Sequence, residues 1–301
     1  MTNHNTFPEI QLHPLFILFA AVAIISGSFV ELITILVIVI IHECGHYVAA
    51  RFFSWRIIRM YIWIFGAVME TEEHGVRSIR EEAIVVLFGP FQHIWIYGVT
   101  WIFQYYGLLH STVIDGIFFY NTVILVFNLL PIWPLDGGKI LYLFLTYVYP
   151  YQRGYENTLI ISCISCILLS IWICVWYSFH IQWIFMMAFL LLEIWREWKN
   201  KSYVYMRFLL HRLQNQSVHK STHIIESFPH EKISDVLTQF RREHTHMIVV
   251  PNDKGTRYSY KNHLSEQLCI NYYFYQGGWS RTIADVYQSQ FIQPSPRLHI
   301  K

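Results

Sequence analysis

The segment His42-Glu43-Cys44-Gly45-His46 puts two imidazoles and a carboxylate at a spacing able to hold a divalent metal. Four residues of helix turn the chain by about 400°, so His42 and His46 leave one face about 40° apart. That separation lets both rings reach one tetrahedral zinc ion and leaves Glu43 beside the ligands rather than among them. A set of this kind supports hydrolysis in which the metal is the Lewis acid and Glu43 the general base. In a chain with 16 His, composition alone gives a chance HExxH a probability of about 4%. The setting strengthens the metal reading: in ILVIVIIHECGHYVAA an uncompensated ionisable side chain is costly, and such residues are functional by default.

A catalytic zinc takes three protein ligands and leaves the fourth position open. The third must lie at the depth of the histidines, which are expected near the cytoplasmic end of their span. Asp136, in NLLPIWPLDGG, follows a later span at the same end; its structural alternative is to cap the turn before Gly137-Gly138. Asp115 stands earlier in that span, about 30 Å away along a helix, and is expected at the opposite interface. With Glu43 and Asp136 ionised, a site holding zinc is close to neutral.

The elements that must position these groups are apolar helices. Hydrophobic residues make up 54% of the 301, and only 14% are charged, against about 25% in soluble proteins. Residues 1–200 hold 9 basic and 13 acidic side chains, and residues 201–301 hold 13 and 7. We expect a transmembrane domain over 1–200, a linker over 201–220 and a small, mildly basic cytosolic α+β domain over 221–301. Apolar stretches near 14–30, 32–52, 83–105, 113–133, 156–177 and 180–197 predict about six spanning helices, an all-α polytopic architecture. Basic residues fall in the 51–82 and 134–155 connections and after the last span, which places both termini in the cytosol. Within the 51–82 connection, residues near 55–69 are rich in strand formers and too short to span; they predict a hairpin or re-entrant segment. No Lys or Arg precedes Arg51, so a cleaved leader is not expected.

Other residues read as structural. Cys163 and Cys166 lie in an apolar run and predict helix packing rather than redox chemistry. His93, His110 and His180 predict interfacial or hydrogen-bonded roles rather than ligation. Gln92, Asn121 and Thr122 predict either a polar path or interhelical hydrogen bonds. His244 and His246 predict surface or core-edge positions. The net charge of +2 gives no reason to expect direct nucleic-acid binding.

HECGH on one apolar helix, with Asn128-Leu129-Leu130-Pro131 leading to Leu135-Asp136-Gly137, resembles the site-2 protease family of intramembrane zinc metalloproteases. The resemblance implies His42, His46 and Asp136 as ligands of one Zn2+ per chain and Glu43 as the catalytic carboxylate. It implies that Asn128, Pro134 and Phe65 position substrate. Gly89-Pro90 and the hairpin around Phe65-Gly66 also resemble family features. Six spans with a cytosolic tail are similar to a sporulation subgroup of the family. That likeness implies a CBS-like tail binding ATP, homo-oligomers through the tail, and membrane-bound inhibitory partners. It further implies a membrane-associated pro-sigma factor as substrate and residence in the membrane surrounding the forespore. Two other classes use the same ligands: a membrane metal transporter or sensor, and a catalytically inactive scaffold. The first gives Glu43 no task, and the intact ligands and base argue against the second.

Overall fold

The computed structural model describes residues 9–12, 21, 23–63, 66–71, 73–176, 181–214, 221–250, 263–277 and 281–292. The chain divides into two units, Met1–Leu143 with Leu159–Ile194, and Phe144–Thr158 with Trp195–Lys301.

In the first unit, β1 (Glu9–Leu12) pairs in parallel with β2 (Ile57–Trp63). The helix α1 (Phe29–Phe52) comes between them in the chain. β2 and β3 (Gly66–Thr71) form the antiparallel hairpin, and β1 makes it a three-stranded sheet. Three helices follow: α2 (Ile79–Tyr105), α3 (Ser111–Asn128) and α4 (Asp136–Val148). Beyond them run α5 (Tyr151–Trp176) and α6 (Ile181–Gln214).

Four helices among the described residues, α1, α2, α3 and α5, are long and apolar enough to cross a membrane. Their solvent preference follows from which side chains they leave uncovered. In α3 only Ile114 and Asn121 are buried, while Phe119, Val123 and Val126 are exposed. A helix apolar on its exposed side is at home in lipid, not water. Of the expected first span, 14–30, residues 14–20 and 22 lie outside the described residues, and its last two residues open α1. The expected last span opens α6, which continues through Glu193, Arg196, Glu197 and Lys199. α4 lies where a connection was expected. At its start Gly137 and Gly138 pack so closely against the preceding loop that a Cβ on them would stand 2.2 Å from Leu129 O and 2.6 Å from Ile132 C.

Two features anchor the elements around the site. Trp55, with 1% exposure, packs with Ala49, Ala50 and Val85, and Ile57 and Met69 lie against them; this fixes the hairpin to the end of α1. Ile132 packs with Cys166, Met187 and Leu190, and Trp133 N–H donates to Ser162 Oγ at 3.0 Å. These contacts hold the loop that delivers Asp136. Cys166 therefore packs, as its apolar surroundings suggested.

In the second unit, β4 (Ser221–Glu226) pairs in parallel with β5 (His244–Val249) through a crossover carrying α7 (Ile233–Leu237). β6 (His263–Ser265) joins β5 antiparallel. α8 (Glu266–Tyr275) and α9 (Ile283–Ile292) follow. The helix after β4 is short, ending at Leu237. The segment Phe144–Thr158 belongs to this unit: Tyr151 N–H donates to Phe240 O at 2.9 Å, and the Tyr151 ring stacks on Phe208 at 4.0 Å. Residues 201–214, expected in the linker, are helical within α6.

A buried charge cluster ties α6 to this sheet. Arg212 bonds Glu266 through Nε and through Nη2, the latter at 3.3 Å. It also donates to the carbonyls of Arg241, Arg242 and His244. Glu266 Oε2 accepts the His246 backbone N–H at 2.9 Å and lies 3.0 Å from His246 Nδ1, and Arg241 N–H donates to His246 Nε2 at 3.0 Å. His246 is thus a core residue, 2% exposed, deeper than the surface or core-edge position expected of it. Burial pushes its pKa below the ordinary 6.5 despite Glu266. Burial would raise the Glu266 carboxyl, but the His246 hydrogen bond and the Arg212 charge together hold it below its ordinary 4.5.

Both groups bind protons more readily when unfolded. Stability should therefore fall as pH drops below 6.5 through His246, and fall again below 4.5 through Glu266. Arg212→Met leaves a buried carboxylate unpaired and should destabilise this unit by about 3–5 kcal/mol. Thermal melting of the detergent-solubilised chain at pH 7.5, 6, 5 and 4, with and without the substitution, measures these effects. A flat pH profile, or an unchanged melting temperature in Arg212→Met, contradicts this account.

Candidate metal centre

The site lies where α1, α2 and the start of α4 bring polar groups together. His42 and His46 are one turn apart on α1, and both are buried. Asp136, the first residue of α4, is also buried. His42 Nε2 and His46 Nε2 each stand 3.1 Å from Asp136 Oδ2 and 3.1 Å from each other. Among the described residues this is the one His, Cys, Asp or Glu group that could hold a metal ion.

The spacing can be tested against what a metal needs. With metal–ligand bonds of about 2.0–2.1 Å, a tetrahedral centre separates its donor atoms by about 3.3 Å. The three atoms here form a nearly equilateral face of that size. Their chemistry agrees. His46 Nδ1 lies 2.8 Å from Val85 O, and a carbonyl can only accept, so Nδ1 carries the proton. In the neutral ring Nε2 is then a lone pair directed at Asp136 Oδ2, itself an acceptor. Acceptors so close, with no hydrogen between them, suit a cation.

Asp136 is held from its other side. Lys139 Nζ donates to Asp136 Oδ1 at 3.2 Å, one turn along α4, leaving Oδ2 toward the histidines. Such a grip sets which carboxylate oxygen faces the metal position. Close approach of α2 is equally necessary. A Cβ on Gly89 would stand 2.1 Å from His46 Nε2, and one on Gly45 would stand 2.3 Å from Phe88 O. Neither position admits a side chain while the helices keep this spacing.

The remaining expected site residues are less tightly gathered. Glu43 is half-buried on α1 between His42 and His46 in the chain, and Cys44 is exposed. Asn128 ends α3 half-buried. Pro134 follows a cis peptide bond from Trp133 and is half-buried in the loop before Asp136. Phe65 lies outside the described residues. Asp115 is exposed on α3 and takes no part in the cluster. Thr122 Oγ1 bonds Tyr97 OH at 2.8 Å and Gln92 Nε2 donates to Phe88 O at 3.2 Å, so both make hydrogen bonds between or within helices. Motif reading gave no part in the site to Gly45, Val85 and Lys139, and expected of His93 only an interfacial or hydrogen-bonded role; it is hydrogen-bonded, to His42 and Asn121. The signal for the α2 set was present as Val85, Gly89 and His93 at intervals of four, one helical face.

Sequence comparison gives this geometry its class. The family model described as peptidase family M50 matches residues 30–112 and 108–170, which contain His42, His46 and Asp136. The chain belongs to peptidase family M50, the site-2 protease family of intramembrane metalloproteases. It is 36% identical over 244 residues to stage IV sporulation protein FB of Bacillus subtilis (strain 168), covering 80% of this chain and 84% of that protein. The solved site-2 protease from Methanocaldococcus jannaschii superposes with a TM-score of 0.51 at 25% identity, over 62% of this chain and 89% of that one. The family match ends at residue 170, ahead of the tail expected as CBS-like, and so supports neither that expectation nor ATP.

Gly89→Ala should displace the His46 ring and abolish metal retention. Zinc content of the purified protein, measured by mass spectrometry, should fall from about one per chain to a small fraction. A full complement of zinc in Gly89→Ala would refute the close-approach argument.

Proposed function

We propose that the chain is a zinc endopeptidase that cuts a membrane-associated protein precursor close to the cytosolic face, with the pro-form of a sporulation sigma factor as its substrate. The observation that carries this reading is the convergence of His42, His46 and Asp136 at 3.1 Å, with Glu43 adjacent on the same apolar helix. His42, His46 and Asp136 would hold the ion. Zinc bound there supplies Lewis acidity to a peptide carbonyl and to water.

The protein's own groups do the rest. Glu43 takes a proton from the attacking water onto its carboxylate and delivers it to the leaving amine nitrogen. Asn128, at the end of α3, orients the substrate backbone, and Pro134 shapes the loop entering the site. The substrate must be extended before its carbonyl is accessible, because helical carbonyls are already bonded. β3 has one partner strand among the described residues, so its other edge is suited to strand addition.

Depth supports a cut near the cytosol. The histidines lie toward the end of α1 that leads to Arg51 and Arg56, and Asp136 precedes Lys139 and Arg153. Basic flanks of that kind mark the cytoplasmic side, and support six spans with both termini cytosolic. A cut there suits removal of a pro-segment. The likeness to the Bacillus sporulation protein supports the substrate class, membrane-bound inhibitory partners and the forespore-surrounding membrane. The second unit, with its β4–α7–β5 crossover, would be the cytosolic regulatory part. A transporter would need a further ligand group along a path, and none occurs among the described residues.

Glu43→Gln should retain zinc and lower cleavage of a co-expressed pro-sigma factor by at least about 100-fold, the scale of a general-base contribution. Gel mobility of the precursor reads the outcome. Undiminished cleavage would remove Glu43 from the mechanism. Wild-type protein that leaves every membrane-associated precursor intact would remove the substrate assignment.

A further inference from the structure

Two histidines face the metal position, but their outer nitrogens are held by different means. His46 Nδ1 is fixed by a backbone carbonyl, Val85 O, which no substitution removes. His42 Nδ1 meets a side chain, His93 Nε2, at 3.0 Å. His93 Nδ1 in turn lies 2.7 Å from Asn121 Oδ1, and Asn121 Nδ2 donates to His93 O at 3.2 Å. His93 and Asn121 are both 0% exposed. The chain of bonds crosses three helices, from α1 through α2 to α3.

Its direction is set from the outer end. The bond from Asn121 Nδ2 to a carbonyl fixes the amide, so Asn121 Oδ1 is what faces His93. Oδ1 can only accept, which puts the His93 proton on Nδ1 and leaves Nε2 as an acceptor. His93 Nε2 can then pair only with a proton on His42 Nδ1. The His42 lone pair is thereby placed on Nε2, the atom facing Asp136. We infer that His93 and Asn121 are positioning residues that fix the ring orientation and tautomer of His42, so that Nε2 is offered to the metal before the metal arrives. This rests on the reading of His42, His46 and Asp136 as a metal site, and adds to it two residues with no direct contact with the ion. The choice of an imidazole is economical in chemical terms. Within apolar helices a neutral ring can accept on one side and donate on the other without adding a charge.

The test measures zinc dissociation constants by competition with a chromophoric chelator, on the full chain in detergent. His93→Leu, which neither accepts nor donates, should weaken zinc binding by about 10–100-fold, the usual effect of losing a group that orients a metal-bound histidine. His93→Gln can accept from His42 through Oε1 and donate to Asn121 through Nε2, and should recover most of that loss. A purely space-filling role for His93 gives no such rescue. Asn121→Ala leaves His93 in place without its orienting acceptor and should weaken binding several-fold. Wild-type affinity in His93→Leu, or equal losses in His93→Leu and His93→Gln, overturns the inference while leaving the metal site intact. If His93→Leu does not fold, Asn121→Ala decides: unchanged affinity overturns the inference. Wild-type protein that binds no zinc overturns both the metal reading and this one.

Discussion

Inside an apolar helix an imidazole without a partner is costly, because no water is present to bond it. α1 carries two such rings, and most of the local architecture either satisfies their outer nitrogens or gathers their inner lone pairs where a cation would satisfy them. The inner nitrogens converge on Asp136 at 3.1 Å. The outer ones reach Val85 O and His93. A third helix, α3, enters because His93 needs its own partner, Asn121. The requirement spreads outward one hydrogen bond at a time until it ends on backbone.

Such short links demand helices closer than ordinary side chains allow. Gly45 and Gly89 remove the obstruction between α1 and α2, and Gly137 and Gly138 do the same between α4 and the loop before it. Small residues at a helix interface are the usual membrane solution, since lipid provides no hydrophobic drive to press helices together. Here the glycines serve chemistry as well as packing. At Gly89 the space a Cβ would take is occupied by the ring of a proposed ligand. The same economy appears at Asp136, whose two oxygens divide between Lys139 and the histidines.

The centre was legible in the sequence because its logic is local or set by depth. HECGH declares its geometry through helical spacing alone, and the distribution of basic residues separates Asp136 from Asp115. The apolar runs located α1, α2, α3 and α5 to within a few residues, and the strand formers after Arg56 marked the hairpin. What escaped depended on contacts distant in the chain. Glu9–Leu12 joins β2 across an intervening helix, a pairing with no local signature. α4 looked like a connection because its length falls short of a span. His246 was expected at the surface or core edge, yet Arg212 and Glu266, 54 positions apart, enclose it. His93 and Asn121 were recognised as polar residues in spans, but that they meet each other and His42 could be seen only once the helices were assembled.

The central claim is that two imidazoles and one carboxylate on this chain surround a single zinc ion. Zinc K-edge X-ray absorption of the purified wild-type protein addresses it most directly. The account predicts a first shell of nitrogen and oxygen at about 2.0–2.1 Å, with the outer-shell scattering of two imidazole rings and no sulfur. A scattering shell at about 2.3 Å, the distance of zinc to a cysteine sulfur, or a shell without imidazole would contradict it.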